Sequence, residues 1–192
     1  MQGSTHQQPE ARRERVLPQA GTVLWLLGPT SAGKTTLATR VVADLRAAGL
    51  PAILFDGDEV RDFFGDQLGF GADSRLRVVS VLVHLANKAA EAGLNVIVAA
   101  LTAGEDARDY VRKNVKNLTT GYVACSIQGC AERDPKGLYG KAMRGEIDTL
   151  IGYNSAYLPP DNPDFVLDTE KYSLDQLAAR IVVTYPRIGG RA

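Results

Sequence analysis

The feature that most constrains this chain is a glycine-rich segment that begins at Gly28. Residues 28–35 read Gly-Pro-Thr-Ser-Ala-Gly-Lys-Thr and satisfy the pattern G-x-x-x-x-G-K-[ST] in full. A short apolar run over 22–27 precedes the segment, and a helical pattern from Lys34 to about Ala48 follows it. Because strand, loop and helix occur in the order that a phosphate-binding loop requires, the segment predicts such a loop and not an ordinary glycine-rich turn.

The residue types of this loop suit a nucleoside triphosphate. Several backbone N–H groups can converge on one anion only where glycine lets the main chain approach closely, and the positive end of the following helix adds to the attraction. We expect Lys34 to bridge the β- and γ-phosphates and the Thr35 hydroxyl to bind Mg²⁺. The predicted nucleotide-binding residues of the loop are Gly28, Thr30, Ser31, Ala32, Gly33, Lys34, Thr35 and Thr36.

Short apolar runs alternate with helical patterns along the rest of the chain. Further strands are predicted at 52–55, 95–101, 122–127 and 164–167. Further helices are predicted at 74–92, with Asp73 as N-cap, and at about 105–117, 137–145 and 173–183, the last with Ser173 as N-cap. Alternation of this kind predicts an α/β fold of the P-loop NTPase type, a parallel sheet covered by helices on both faces. Residues 1–20 lack any periodicity and predict a flexible arm, which leaves 21–192 as one domain.

Composition excludes several classes of function. Lys plus Arg and Asp plus Glu both total 22, so the chain lacks the basic surplus of a protein that binds nucleic acid or anionic membrane. No apolar run reaches the ~18 residues that a membrane-spanning helix needs, and the polar N-terminus does not resemble a signal peptide. Cys125 and Cys130 form no zinc pattern and are expected to be idle thiols. We therefore expect a cytoplasmic protein with neither a nucleic-acid nor a membrane partner.

Among the classes of phosphate-loop protein, a small-molecule kinase fits best. A regulatory GTPase would need a guanine-reading Asn-Lys-x-Asp, which the sequence lacks. A motor ATPase usually has an acidic residue at the end of an apolar strand, whereas the run 95–101 is followed by Thr102.

Two aspartates follow the second predicted strand. Asp56 and Asp58 lie at the edge of the sheet where α/β proteins bind their ligands. Side chains two residues apart point the same way on an extended chain, unless Gly57 bends them apart. In phosphoryl transfer one carboxylate can hold Mg²⁺ while the other accepts a hydrogen bond from the attacking hydroxyl. A plain Asp-Gly turn with a helix cap is the alternative, but beside the phosphate loop we favour the functional interpretation.

At this point the chain resembles the adenylyl-sulfate (APS) kinase family of P-loop kinases. The resemblance covers about residues 20–185 and is carried by 28–36, by 55–61, by Leu68-Gly69-Phe70 with Asp73 and Arg75, by 92–94, by 132–139, and by 167–169. The run Arg-Asp-Pro-Lys-Gly-Leu-Tyr over 133–139 is long and unusual, which makes it far more specific than the phosphate loop alone.

The resemblance implies ATP as co-substrate, Mg²⁺, and transfer of the γ-phosphate to the 3′-hydroxyl of APS to give PAPS, the step that activates sulfate for assimilation. It implies that Asp58 is the base-like group, that Asp56 lies nearby and helps Thr35 to hold the metal, and that Arg133 and Lys136 place positive charge at the transferred phosphate. It also suggests a homodimer.

For the acceptor, the resemblance implies contacts from Arg61, Phe70 and Arg75. Thr102 and Leu150 stand at two further positions on that side. A lid over both substrates would be formed by about 133–157.

The acceptor side is also where the chain departs from the family pattern. Residues 77–81 read Arg-Val-Val-Ser-Val where the family reads Glu-Asn-Ile-Arg-Arg, and 102–105 read Thr-Ala-Gly-Glu in place of Ser-Pro-Tyr-Arg. Val78 thus replaces a polar asparagine, and Leu150 replaces a phenylalanine whose stacking on a base would contribute ~1–3 kcal/mol. Tyr153 and Tyr157 are candidates to supply the missing aromatic face.

Two alternatives to APS phosphorylation follow from these departures. The same kinase chemistry could act on a different small nucleotide-linked or specialised-metabolite acceptor. A nucleotide-binding regulatory subunit without catalysis is the second alternative, and the presence of Lys34, Asp56, Asp58 and Lys136 counts against it.

Overall fold

The computed structural model describes residues 20–189, so the predicted arm over 1–20 lies, apart from its last residue, outside the described residues. The strands are β1 (Val23–Leu27), β2 (Ala52–Asp56), β3 (Asn95–Ala100), β4 (Leu118–Ala124) and β5 (Phe165–Asp168). The helices are α1 (Lys34–Ala47), α2 (Gly57–Phe64), α3 (Ala72–Glu91), α4 (Glu105–Asn114), α5 (Ile127–Arg133), α6 (Leu138–Met143) and α7 (Leu174–Gly189), with a short 3₁₀ helix at Gly65–Gln67.

The five strands form one sheet in the order β2-β3-β1-β4-β5, and every neighbouring pair is parallel. Side chains alternate along β1, so Leu24 and Leu26 face one side of the sheet and Val23 and Trp25 the other. The first side packs against α1 and α7, and the second packs against α3 and α4. The predicted α/β fold with helices on both faces is thereby confirmed.

The strand order places the site. The chain passes from β1 outward to β2, returns to β3, and then continues on the far side of β1 with β4 and β5. Such a reversal opens a crevice at the carboxyl ends of the strands, where open α/β sheets bind ligands. The residues that follow β1, β2 and β3 at this edge are 28–33, 57–58 and 101–104, and the second of these segments is already the start of α2.

The observed elements differ most from the predicted ones at β4, α2, α5 and the start of α3. Strand β4 runs over Leu118–Ala124 and not over 122–127, because Ser126 caps α5 by accepting a hydrogen bond at Oγ from the Gly129 N–H at 2.9 Å. Helices α2 and α5 were not predicted. Helix α3 begins at Ala72, so Asp73 lies in its first turn and the predicted Asp73 cap is wrong.

Several smaller expectations are met. The Ser173 hydroxyl accepts a hydrogen bond from the Gln176 N–H at 3.3 Å, as expected of an N-cap. Cys125 and Cys130 are both free and buried. None of the helices in the described part of the chain is both long and apolar enough to span a membrane.

Candidate active site

The glycine-rich loop between β1 and α1 has a backbone that a general sequence cannot adopt. A Cβ on Gly28 would lie 2.4 Å from the Val123 carbonyl oxygen, and Gly33 has a left-handed φ of 97°. Ser31 is also left-handed, with a φ of 65°, and among the described residues its buried hydroxyl has no hydrogen-bond partner. A buried polar group without a partner is costly, so an orphan hydroxyl inside this loop suits an anionic ligand.

Lys34 lies across the loop. Its Nζ donates hydrogen bonds to the carbonyl oxygens of Gly28 at 3.0 Å and Pro29 at 2.8 Å. Burial lowers the pKa of Lys34 to about 8, although the negative charges of Asp58 and Asp56 partly oppose that shift. The fold therefore holds a desolvated ammonium group at the position where the loop would receive phosphates.

Asp56 is the last residue of β2, and its side chain connects this strand to the phosphate loop. One carboxylate oxygen accepts a hydrogen bond from the Thr35 hydroxyl at 2.6 Å, and the other accepts one from the Asp58 N–H at 2.8 Å. The second bond makes Asp56 the N-cap of α2. Asp56 therefore caps a helix and also bonds to Thr35 of the phosphate loop, so the two interpretations of this residue do not exclude each other. Only 5% of Asp56 is exposed, which fixes the carboxylate beside Thr35.

The Thr35 and Asp56 oxygens suit Mg²⁺. This ion prefers hard oxygen ligands and usually keeps several waters while taking one or two protein groups together with substrate phosphates. Over residues 20–189 no cluster of three or more His, Cys, Asp or Glu side chains could hold a metal by itself. Two protein oxygens beside a phosphate loop are consistent with a magnesium–nucleotide complex and not with a metal held by protein alone.

Asp58 has a different partner from Asp56. Helix α2 begins at Gly57, and Asp58 in its first turn forms an ion pair with Lys136 at 2.5 Å. Burial alone would lower the pKa of Lys136, but its hydrogen bond to Asp58 and the neighbouring carboxylates raise it above its ordinary value. The two side chains are more than half exposed, so they can exchange partners when a ligand enters.

Arg133 joins the loop to the end of β5. Its guanidinium donates to the Thr169 hydroxyl and to the Thr169 carbonyl oxygen, both at 2.9 Å, and the Thr169 hydroxyl reaches the Ala32 carbonyl oxygen at 3.1 Å. Tyr139, on α6, donates to the carbonyl oxygen of Thr30 at 3.2 Å. The segment that begins at Arg133 is thus anchored on the phosphate loop. We call residues 28–36 with Asp56 and Arg133 the donor side.

A second group of side chains forms the other half of the same cavity. Arg61 donates to the Gly69 carbonyl oxygen at 2.7 Å, and its guanidinium carbon lies 5.0 Å from the centre of the Phe70 ring. Arg75 donates to the Thr149 carbonyl oxygen at 2.8 Å, and burial, together with the charge of Arg61, lowers the pKa of Arg75. We call this half the acceptor side. It comprises Arg61, Phe70, Arg75, Val78, 101–104, 106–107, Ile147 and 149–151.

One cavity of about 990 Å³ contains nearly every predicted site residue. Its lining includes Thr30, Ser31, Gly33, Lys34, Thr35, Thr36, Asp56, Asp58, Arg61, Phe70, Arg75, Thr102, Arg133, Lys136 and Leu150. Gly28 and Ala32 do not line the cavity but shape the loop that does. The sequence therefore predicted which residues the fold brings together, while their individual roles stay predictions.

Two acceptor-side expectations change in detail, those for Thr102 and for the two tyrosines, while Leu150 lies where it was expected. The Thr102 hydroxyl is buried and accepts a hydrogen bond from the Trp25 indole N–H at 2.9 Å, so it is engaged with the core. Leu150 is buried at the cavity wall. Tyr153 and Tyr157 do not line the cavity, and Tyr157 stacks on Tyr122 at 6.2 Å, so neither supplies the missing aromatic face.

Sequence reasoning assigned no role to Tyr139 or Asp106. Tyr139 is the last residue of the unusual run over 133–139, so the run itself was the available signal. Asp106 lines the cavity from the first turn of α4, and no motif pointed to it.

A comparison with known protein families decides the family of this chain. The model of the family described as "Adenylylsulphate kinase" matches residues 20–168. The chain belongs to the adenylyl-sulfate kinase family. It is therefore an ATP-dependent kinase by family, as its sequence predicted.

Relatives from several organisms agree with this assignment. A probable adenylyl-sulfate kinase of Archaeoglobus fulgidus is 39% identical over 149 residues, which is 78% of this chain and 96% of the relative. A probable adenylyl-sulfate kinase of Pyrococcus abyssi is 34% identical over 88% of this chain and 97% of the relative.

Solved structures agree as well. The APS kinase CysC of Mycobacterium tuberculosis in complex with AMPPNP and APS is 32% identical, with a TM-score of 0.82 over 86% of this chain and 98% of that one. A hexameric APS kinase from Thiobacillus denitrificans, 22% identical over 89% of this chain and 30% of that one, has a TM-score of 0.64 and shows the fold alone.

Proposed function

We propose that this adenylyl-sulfate kinase family member transfers the γ-phosphate of ATP to the 3′-hydroxyl of APS, giving PAPS and ADP. The observation that carries the proposal is the convergence of Lys34, the Thr35–Asp56 pair and the Asp58–Lys136 pair on one cavity. The solved relative from Mycobacterium tuberculosis, which contains both AMPPNP and APS, supports this choice of donor and acceptor.

The donor side would hold the triphosphate. Backbone N–H groups of the loop and of the start of α1 would bind the anion, and Lys34 would exchange its two carbonyl partners for phosphate oxygens. Binding a highly charged anion would also restore the full positive charge of Lys34, whose pKa burial has lowered. Arg133 is already fixed by Thr169 and would add a second cation with little loss of conformational freedom.

Mg²⁺ would be held by Thr35, with Asp56 as a second oxygen ligand or as the acceptor that orients the hydroxyl. When bound, the ion would neutralise part of the negative charge on the triphosphate. Asp56 cannot turn away from this position without also uncapping α2, so the helix and the metal ligand are stabilised together.

Asp58 would accept the proton of the attacking 3′-hydroxyl. Its carboxylate is now paired with Lys136, and departure of Lys136 toward the transferred phosphate would leave Asp58 free for the hydroxyl. The new bond joins the acceptor oxygen to the γ-phosphorus, the bond to the ADP oxygen breaks, and the proton goes to Asp58. Preorganised positive charge at the transferred group is the main source of rate in such reactions.

The acceptor would lie against Arg61, Phe70 and Arg75. Two arginines suit the phosphosulfate anion, and the 58% exposed ring of Phe70 offers a face for the base. The segment 133–157 would act as a lid that excludes water, since it begins at Arg133 on the donor side and reaches Leu150 on the acceptor side.

Assembly and location complete the proposal. We infer a homodimer in the cytoplasm, supported by the family resemblance and by the composition. Because one relative is described as hexameric, the oligomeric state of this protein should be measured directly, by sedimentation of the purified protein.

The function is tested by incubating purified protein with ATP, Mg²⁺ and APS and measuring PAPS and ADP together. Equal amounts of both products are expected, with none when Mg²⁺ is chelated. ADP release with other hydroxyl acceptors but no PAPS from APS would contradict the proposal and favour a different acceptor. Tight ATP binding without any product would favour the non-catalytic alternative.

A further inference from the structure

An exposed carboxylate and a neighbouring glycine line the acceptor side of the cavity. Asp106 lies in the first turn of α4, and Gly104 is the N-cap of that helix. A Cβ built on Gly104 would lie 2.3 Å from the Asp106 Oδ1, so the carboxylate occupies the space that any other residue at 104 would fill. Both residues line the cavity.

The Asp106 carboxylate has no polar partner among the described residues. It forms no hydrogen bond or ion pair there, whereas its neighbour Glu105 is held by Arg108 and Arg112. A carboxylate has two strong acceptor oxygens, so a free one at a cavity wall is suited to a ligand that donates N–H or O–H groups.

The surroundings of Asp106 indicate which part of the acceptor reaches it. Val78, Ala107 and Leu150 are buried and line the same cavity as Asp106, and Ala107 follows Asp106 on α4. Apolar walls suit the flat face of a nucleobase better than a ribose or an anion, while Arg61 and Arg75 suit the anion. An adenine ring against these walls carries one donor group on its edge, the exocyclic amino group.

We propose that Asp106 is a specificity residue that accepts a hydrogen bond from the exocyclic amino group of the acceptor's nucleobase, and that Gly104 provides the space for it. This inference rests on the proposed function, because it concerns the acceptor of the same reaction. It makes the site selective for a purine with an amino group at that position, since a carbonyl there would repel the carboxylate and leave a donor only at the adjacent ring nitrogen.

The test compares APS with its inosine counterpart, in which an oxygen replaces the amino group. For Asp106→Ala we expect the KM for APS to rise about tenfold, as for loss of a hydrogen bond to a charged group, with kcat and the KM for ATP unchanged. The same variant should leave the KM for the inosine counterpart unchanged or lower. Asp106→Asn should improve the inosine counterpart, because an amide N–H can donate to the base oxygen.

Gly104→Ala provides an independent variant. Gly104 has φ −81° and ψ 147°, which alanine adopts without strain, and the only atoms near the new Cβ belong to the Asp106 carboxyl group. The alanine should therefore displace the carboxylate without moving the backbone and reproduce the KM change of Asp106→Ala.

Asp109→Asn is the matched control, because Asp109 lies on the same helix, pairs with Arg112 and does not line the cavity. It should change neither KM. An equal loss with both acceptors in Asp106→Ala, or a loss that disappears when 2′-deoxy-APS is the acceptor, would overturn the proposal, the second result by assigning the carboxylate to the ribose. Either outcome leaves the APS activity of the unchanged protein intact, so failure of this inference is distinct from failure of the proposed function.

Discussion

The donor side and the acceptor side share one cavity but are built in different ways. On the donor side, Lys34, Thr35 and Asp56 bond to the main chain or to one another, and the loop glycines are fixed by the backbone around them. On the acceptor side, the walls are mostly apolar side chains, and Phe70 is 58% exposed.

This difference shows which changes each half can tolerate. A loop held by contacts to the main chain is destabilised when one of its bonded residues is substituted, because the remaining polar groups stay buried without partners. A wall made of separate side chains can change one residue at a time. This chain departs from its family in that wall, at Val78 and Leu150. The predictions below test this contrast.

The largest effect is expected from Lys34→Ala. Removal of the buried ammonium from the donor side should lower kcat for PAPS formation about a thousandfold, because it removes charge stabilisation of the transferred phosphate. The measurement is steady-state PAPS formation with saturating ATP and APS. Lys88→Ala is the control, because Lys88 is an exposed lysine on α3 that pairs with Glu91 outside the cavity, and it should retain full activity. A Lys34→Ala variant within tenfold of the unchanged enzyme would refute the role given to Lys34.

Asp58→Asn should have the next largest effect. The amide cannot take the proton of the acceptor hydroxyl, so kcat should fall about a hundredfold while ATP binding, measured by calorimetry, changes little. Asp73→Asn, on the first turn of α3 and outside the cavity, serves as the control. A fall in ATP affinity as large as the fall in kcat would mean that Asp58 acts on the donor side instead.

Phe70→Ala should affect only the acceptor side. Loss of base stacking should raise the KM for APS about tenfold and leave the KM for ATP unchanged. Phe63→Ala is a matched control, since Phe63 is 88% exposed and does not line the cavity. Equal changes in both KM values would show that the two halves are not separable.

The smallest predicted effect is a pH dependence of ATP affinity. The pKa of Lys34 in the free protein is about 8, and the bound triphosphate favours the charged form, so deprotonation above this pH opposes binding. The Kd for ATP should rise about threefold between pH 7.5 and pH 8.5. Lys136, whose pKa is raised above its ordinary value, stays charged over this range.

Calorimetry at several pH values measures this change. Lys34→Met should bind ATP more weakly at every pH, with no rise over the same interval. An unchanged Kd for the unaltered protein up to pH 9 would show that Lys34 does not titrate there.

The sequence predicted the donor side well because its chemistry lies in one continuous segment. The strand before Gly28, the loop and the helix from Lys34 carry their own signals, namely apolar residues, glycines and helical periodicity. Tertiary structure adds only the partners of these residues, such as Asp56 for Thr35.

Elsewhere local patterns were insufficient. Strand β4 includes Gly121, which does not favour strands, and a Cβ there would lie 2.7 Å from a Leu26 methyl carbon, so packing against β1 decides the residue. Helix α2 spans only eight residues and buries none of them fully, and its two core-facing residues, Val60 and Phe64, form too short an apolar pattern to predict a helix. The contact between Gly104 and Asp106 depends on side-chain placement that no spacing reveals.

The hydrogen bond between Trp25 and Thr102 has a practical consequence. Trp25 is the one tryptophan of the chain, it is fully buried on β1, and its indole N–H contacts the loop that forms part of the acceptor wall. Indole emission depends on such a bond, so the fluorescence of the unlabelled protein is a built-in reporter of that loop. Titration with either nucleotide in a fluorimeter should therefore follow movement at 101–104 without any dye or engineered probe.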